Sequence, residues 1–125
     1  MMRNALIVDD SKAVLMILAK ILKGLGYEIR EVTDGTEALQ VIEVEKLPIE
    51  LVLVDWNMPE MNGLELLKRI RQDPALSSMV VVMVTTETDL PHMTAALEAG
   101  ANEYVMKPFT KDILVEKLQI AGLCL

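Results

Sequence analysis

Residues 51–59 read Leu51-Val52-Leu53-Val54-Asp55-Trp56-Asn57-Met58-Pro59. Four aliphatic residues without a polar break suit a strand covered on both faces, the condition of a central strand in a parallel sheet. Runs of the same kind stand at 5–8 and 79–84. Residues 28–32 alternate polar and apolar, which fits an edge strand, and 104–106 supply a fifth short run. Helical patterns fill the gaps. Val14, Leu18, Ile21, Leu22 and Leu25 recur on one helical face and Gly24 and Gly26 close that helix. Further helices are expected over 36–45, 64–72, 90–99 and 111–121. Five successive β–α units predict an α/β fold, a doubly wound five-stranded parallel sheet with five helices on its two faces and right-handed crossovers.

Composition sets the limits. A chain of 125 residues fits a single domain over 1–125. With 52% apolar and only 3% aromatic residues its core must be aliphatic, with nine methionines filling gaps. A net charge of −7 argues against direct binding of nucleic acid, whose phosphates demand a basic surface. No apolar run approaches the ~20 residues that span a bilayer. The first residues, Met1-Met2-Arg3-Asn4, lack a signal peptide's pattern, and the single Cys124 cannot form an internal disulfide. A cytoplasmic location is expected.

In open α/β sheets the site lies beyond the carboxyl ends of the strands. Here those ends carry Asp9-Asp10-Ser11, Asp55-Trp56-Asn57, Thr85-Thr86-Glu87 and Lys107-Pro108-Phe109. Three carboxylates and an ammonium at one sheet edge leave an excess of two negative charges, which a divalent cation neutralises. Mg²⁺ favours a few carboxylates, waters and phosphate oxygens, so the set reads as a metal site with room for a phosphoryl group. Singly each residue has a plainer use: Asp9, Asp10 and Thr85 as turn formers or helix caps, Lys107 as a solvated lysine. Their joint placement carries the inference.

These residues, with Gly63 and the run Tyr104-Val105-Met106-Lys107-Pro108-Phe109-Thr110, give the chain a resemblance to the receiver domain of two-component response regulators, extending over nearly all of its length. The likeness is nearest to the stand-alone, chemotaxis-type members. It implies the strand order 2-1-3-4-5. It further implies that Asp55 accepts a phosphoryl group, and that Asp9, Asp10, Asp55 and the backbone carbonyl of Asn57 hold Mg²⁺, for which Mn²⁺ can substitute. Lys107 would bind a phosphoryl oxygen and the Lys107–Pro108 peptide would be cis. Thr85 and Tyr104 would form the switch, the tyrosine turning inward once Asp55 is modified. Asn57 and Glu87 would tune the lifetime of the phosphorylated state, with Thr86 narrowing access to it.

The partners so implied are a histidine kinase or histidine phosphotransfer protein upstream and a protein target, such as a flagellar switch, downstream. The target would meet the fourth and fifth helices and the fifth strand. The protein would be a monomer or a phosphorylation-linked dimer, and would catalyse only its own phosphorylation and dephosphorylation. A receiver cut from a larger regulator or hybrid kinase, or a phosphorelay intermediate, fits the same residues. A flavin-binding relative would need a glycine- or hydroxyl-rich loop where Asp9-Asp10 stands. A phosphatase with an aspartyl intermediate would commonly carry Asp-x-Asp after the first strand.

Two further readings concern single elements. With the core arc of the first helix drawn through Ile17, Val14, Leu25, Leu18 and Leu22, residues Leu15, Met16 and Ala19 fall on the wet side beside Lys12, Lys20 and Lys23. That strip is a candidate docking face for the phosphodonor. His92, a lone histidine at a helix start, is expected to be a solvated side chain without a second ligand nearby.

Overall fold

The computed structural model describes residues 3–87 and 89–125; Met1 and Met2, which open the segment read for a targeting signal, lie outside them. Five strands, β1 (Arg3–Val8), β2 (Tyr27–Val32), β3 (Leu51–Val54), β4 (Val80–Thr85) and β5 (Glu103–Met106), form one parallel sheet in the order β2-β1-β3-β4-β5. The helices are α1 (Lys12–Gly24), α2 (Gly35–Leu39), α3 (Gly63–Gln72), α4 (Leu90–Glu98) and α5 (Lys111–Ile120). The doubly wound α/β architecture is as expected.

The continuous apolar runs have a direct consequence. Because side chains alternate across a strand, Leu6, Val8, Val52, Val54, Val81 and Met83 point to one face and pack on α2, α3 and α4. Ala5, Ile7, Leu51, Leu53, Val82 and Val84 point to the other and pack on α1 and α5. Two aliphatic cores are thus built from the same three strands. Each helix starts on a side-chain cap, from Ser11, Asp34, Asn62, Asp89 and Thr110 in turn, each stabilising its helix by about 1 kcal/mol. Among the described residues no helix is long and apolar enough to cross a membrane.

Two expectations need correction. The second helix is not one continuous helix over 36–45: α2 gives way at Gln40 to a π turn over Gln40–Val44, closed by Glu45 N–H donating to the carbonyl of Gln40. The extra residue in that turn brings Val41 and Ile42 inward and leaves Val44 exposed. The docking strip on α1 is also overturned in part. Leu15 and Ala19 are buried, each 5% exposed, and only Met16 (71%) of the three faces water. The buried face of α1 is Leu15, Leu18, Ala19 and Leu22, about a quarter-turn from the arc drawn through Val14. Ile17, assigned to the core, lies outside it.

Register fixes where the chemistry goes. Val8 pairs with Val54, so the next residues, Asp9 and Asp55, leave the sheet side by side, with Asp55 N–H donating to the carbonyl of Val8. Likewise Thr85 pairs with Met106, and Lys107 N–H donates to the carbonyl of Thr85.

Candidate functional site

Asp9, Asp10 and Asp55 each bring a carboxylate oxygen to within 4.8 Å of the others. Asp9 and Asp55 are buried, whereas Asp10 is open to water. Lys107 reaches across from the end of β5, its Nζ 2.7 Å from Asp9 Oδ2 and 3.4 Å from Asp55 Oδ2. The remaining oxygens are anchored to backbone: Ser11 N–H donates to Asp9 Oδ1 at 2.9 Å and Asn57 N–H to Asp55 Oδ1 at 3.4 Å. The Asp9 and Asp55 carboxylates are therefore preset by the main chain on one side and by a single ammonium on the other. An all-oxygen set with a residual charge of −2 fits a hard divalent ion such as Mg²⁺. A shallow open depression of about 590 Å³ lies alongside, lined by Asp10, Trp56, Asn57, Met58, Pro59 and Asn62.

The loop after β3 is held close against Asp55. Gly63 N–H donates to the carbonyl of Trp56 at 2.9 Å, and a Cβ on Gly63 would lie 2.2 Å from the carbonyl oxygen of Asp55. Only a residue without a side chain lets α3 begin there. The Lys107–Pro108 peptide is cis.

The segment after β4 forms the second half of the site. Thr85 is fully buried, and its hydroxyl accepts from Glu87 N–H at 3.3 Å. Thr86, next in line, is exposed. Asn57 Nδ2 donates to Glu87 Oε1 at 2.9 Å, joining the β3 and β4 loops. The expected inward turn of Tyr104 has no outward starting point here: its ring is already buried in the core beneath, and its hydroxyl donates to the backbone carbonyl of Glu87. Burial pushes the Tyr104 phenol up to about 12, helped by the negative charges of Glu87, Asp89 and Asp55.

Of the residues singled out in the sequence, the fold brings Asp9, Asp10, Asp55 and Lys107 into one cluster, with Asn57, Thr85, Glu87 and Tyr104 linked at its rim. Leu15 and Ala19 lie in the core. The reading of His92 as a solvated side chain holds only in part: its side chain is 35% exposed, but carboxylates stand close to both ring nitrogens. Its Nδ1 lies 2.6 Å from Asp89 Oδ1, its Nε2 lies 3.8 Å from Glu87 Oε2, and its ring stands edge-on to Trp56 with centroids 4.6 Å apart. The imidazole and the backbone N–H of His92 together hold the Asp89 carboxyl below the usual carboxylate range. The missed signal was Asp-x-x-His at a helix start: an N-cap aspartate and a residue three positions on share the first turn.

Comparison with known proteins agrees with this geometry. Residues 5–119 match the response regulator receiver domain family. The chain is 40% identical over 116 residues to chemotaxis protein CheY1 of Helicobacter pylori, spanning 92% of this chain and 93% of that one. It is 41% identical over 115 residues to the chemotaxis protein CheY homolog of Campylobacter jejuni, spanning 91% and 88%. Among solved structures it is similar to chemotaxis protein CheY4 of Vibrio cholerae (TM-score 0.86, 32% identity, 95% of this chain and 98% of that one). It is also similar to a CheY-like receiver domain protein of Methanospirillum hungatei (TM-score 0.83, 35% identity, 95% and 92%).

Proposed function

The chain belongs to the response regulator receiver domain family, and on that premise we propose that Asp55 takes a phosphoryl group from a phosphohistidine donor. Receiver domains act as phosphoacceptor switches and use Mg²⁺ at an acidic pocket. The observation that supports Asp55 in this chain is its position: buried, at the end of β3, facing the Lys107 ammonium together with Asp9. One Asp55 oxygen attacks phosphorus. The donor's P–N bond breaks, and its electron pair stays on the imidazole nitrogen, which takes up a proton.

Asp9, Asp10, Asp55 and the backbone carbonyl of Asn57 are the residues that would hold Mg²⁺. The ion, when bound, screens the negative charge shared by carboxylate and phosphoryl group. Lys107 donates to a phosphoryl oxygen as a compact positive charge. Thr85 gives up the Glu87 N–H it now accepts and donates its hydroxyl to another phosphoryl oxygen. That draws the β4–α4 segment inward, and the segment carries the carbonyl on which the Tyr104 hydroxyl rests. Tyr104 thus reads the state of Asp55 through two hydrogen bonds. Asn57 and Glu87, joined across the mouth of the site, set how readily water reaches the acyl phosphate, and exposed Thr86 narrows the approach.

Upstream the partner is a histidine kinase or histidine phosphotransfer protein. Downstream it is a protein target of the chemotaxis kind, as the names of the relatives suggest, met on α4, β5 and α5. Exposed Leu90, Leu97, Met106 and Ile113 give that face the apolar character a protein partner needs. The test is incubation with acetyl phosphate and Mg²⁺, read by intact mass and by the fluorescence of Trp56. A single labile adduct, lost without Mg²⁺ and lost in Asp55→Asn, is the expected result. An adduct that survives Asp55→Asn would place the acceptor elsewhere.

A further inference from the structure

Beyond the acidic pocket, a second group of metal-ligating side chains stands at the start of α4. Glu87, Asp89 and His92 each offer a ligand atom, all within 4.8 Å of one another. Their arrangement differs from a patch of surface carboxylates in two ways. First, the imidazole is oriented. Both Asp89 oxygens lie on its Nδ1, at 2.6 and 2.7 Å, and Trp56 packs against the ring edge-on. Second, an Nδ1–H donating to that carboxylate would turn the other ring nitrogen outward as the ligand atom, and Nε2 faces Glu87 Oε2 across 3.8 Å. That span is too long for a hydrogen bond. It is close to the separation of about 3.4 Å between two ligands that share one tetrahedral zinc ion with bonds of about 2.0–2.2 Å.

We propose that His92 Nε2 and Glu87 form a binding site for a borderline-soft divalent cation of the zinc class, with Asp89 orienting the imidazole from behind. A carboxylate behind a histidine ligand fixes its tautomer and raises its basicity, and is the usual outer partner of such a ligand. The imidazole also separates this site chemically from the acidic pocket. Nitrogen donors favour zinc and its neighbours, whereas the all-oxygen set of Asp9, Asp10 and Asp55 favours Mg²⁺. Two protein ligands leave the other positions to water, so the affinity is modest and the exchange fast. The site also touches the rest of the molecule. The other Glu87 oxygen accepts from Asn57 and its backbone carbonyl accepts from Tyr104, so an ion held there tethers the loop that follows β4.

His92 is the only histidine in the sequence, so its ring gives one set of imidazole resonances. The experiment is a Zn²⁺ titration of the full, unphosphorylated chain with Mg²⁺ in excess, read by nitrogen-15 shifts of that ring. The expected result is a saturable one-to-one shift of Nε2 with half-saturation below roughly 100 µM Zn²⁺. It should weaken at least tenfold in Glu87→Gln and persist in Asp10→Asn. An unmoved ring overturns the proposal. So does a shift that survives Glu87→Gln, which would mean an ion held by the imidazole alone or in the acidic pocket. Because nothing in the measurement depends on phosphorylation, its failure leaves the assignment of Asp55 untouched, and the reverse holds.

Discussion

Gly63 and Asp55 are separated by less than a methyl group: a Cβ on Gly63 would lie 2.2 Å from the Asp55 carbonyl oxygen and 2.9 Å from its carbonyl carbon. The obstacle is backbone, not the tip of a flexible side chain. Gly63→Ala must therefore push α3 away from the end of β3 or deform the loop between them.

The expected cost is about 2–4 kcal/mol, the range of overpacking in a core made worse by an immovable neighbour. The same displacement moves the proposed phosphoacceptor. Gly63→Ala should thus lower the urea midpoint and slow phosphorylation by acetyl phosphate, even at temperatures where it remains folded. A variant with wild-type stability would show that the loop relaxes freely.

Lys107 sits 0.7 Å nearer to Asp9 than to Asp55, at 2.7 against 3.4 Å. It is the counter-charge among three carboxylates, and an Mg²⁺ ion held by them would share the pocket with it. Replacing it by an uncharged side chain of similar length, Lys107→Met, removes that competing positive charge. Mg²⁺ binding should then tighten by about three- to tenfold, or roughly 0.7–1.4 kcal/mol, while stability without metal falls through carboxylate repulsion. Titration of Trp56 fluorescence with Mg²⁺, paired with thermal melts in chelator, measures both. Weaker Mg²⁺ binding in the variant would mean that Lys107 organises the ligands more than it repels the ion.

Both tyrosines, Tyr27 and Tyr104, have phenols pushed up to about 12, in each case chiefly by burial. A raised phenol favours the folded state while it is protonated. That contribution is complete below the unfolded value near 10 and is lost as pH rises through about 12. The protein should accordingly be insensitive to these groups at neutral pH and lose stability between roughly pH 10 and 12. Tyrosinate absorbance should rise late and together with loss of helical circular dichroism. Tyr104→Phe should keep the fold in that range better than wild type. Ionisation of Tyr104 near 10 in a still-folded protein would contradict its burial.

The legibility of this molecule in its sequence divides along a physical line. Strand identity and sheet position follow from uninterrupted apolar runs, because a strand covered on both faces tolerates nothing else, and 51–54 could hardly be read otherwise. The acidic pocket was legible for the same reason: strands that end in register deliver their next residues to one edge. Helix phase is harder to read. In α1 nearly every position from Val14 to Leu22 is apolar or an aliphatic-stemmed lysine, so several arcs fit, and packing against β1 and α5 chose one about a quarter-turn from Val14. The His92 cluster escaped because its ligands come from a loop and a helix cap. Neither has the periodicity by which a strand or an amphipathic face is recognised.

The phase of α1 leads to the sharpest contrast between neighbouring substitutions. Leu15 is 5% exposed and packs in the core between the sheet, α1 and α5; Met16 is 71% exposed. Leu15→Asp places a carboxylate where no partner or water can reach it, at a cost of about 3–5 kcal/mol, a large fraction of the 5–15 kcal/mol that stabilises a domain of this kind. Met16→Asp changes a solvated position in the middle of the helix and should stay within about 0.5 kcal/mol of wild type. If the exposed pair Met16 and Ile17, beside Lys12 and Lys20, meets the phosphodonor protein, Met16→Asp should slow transfer from a histidine phosphotransfer domain. Phosphorylation by acetyl phosphate should be unchanged, because a small molecule makes no use of that face. Slowing with both donors would trace the effect to the pocket itself. Equal rates with both would remove α1 from the docking surface.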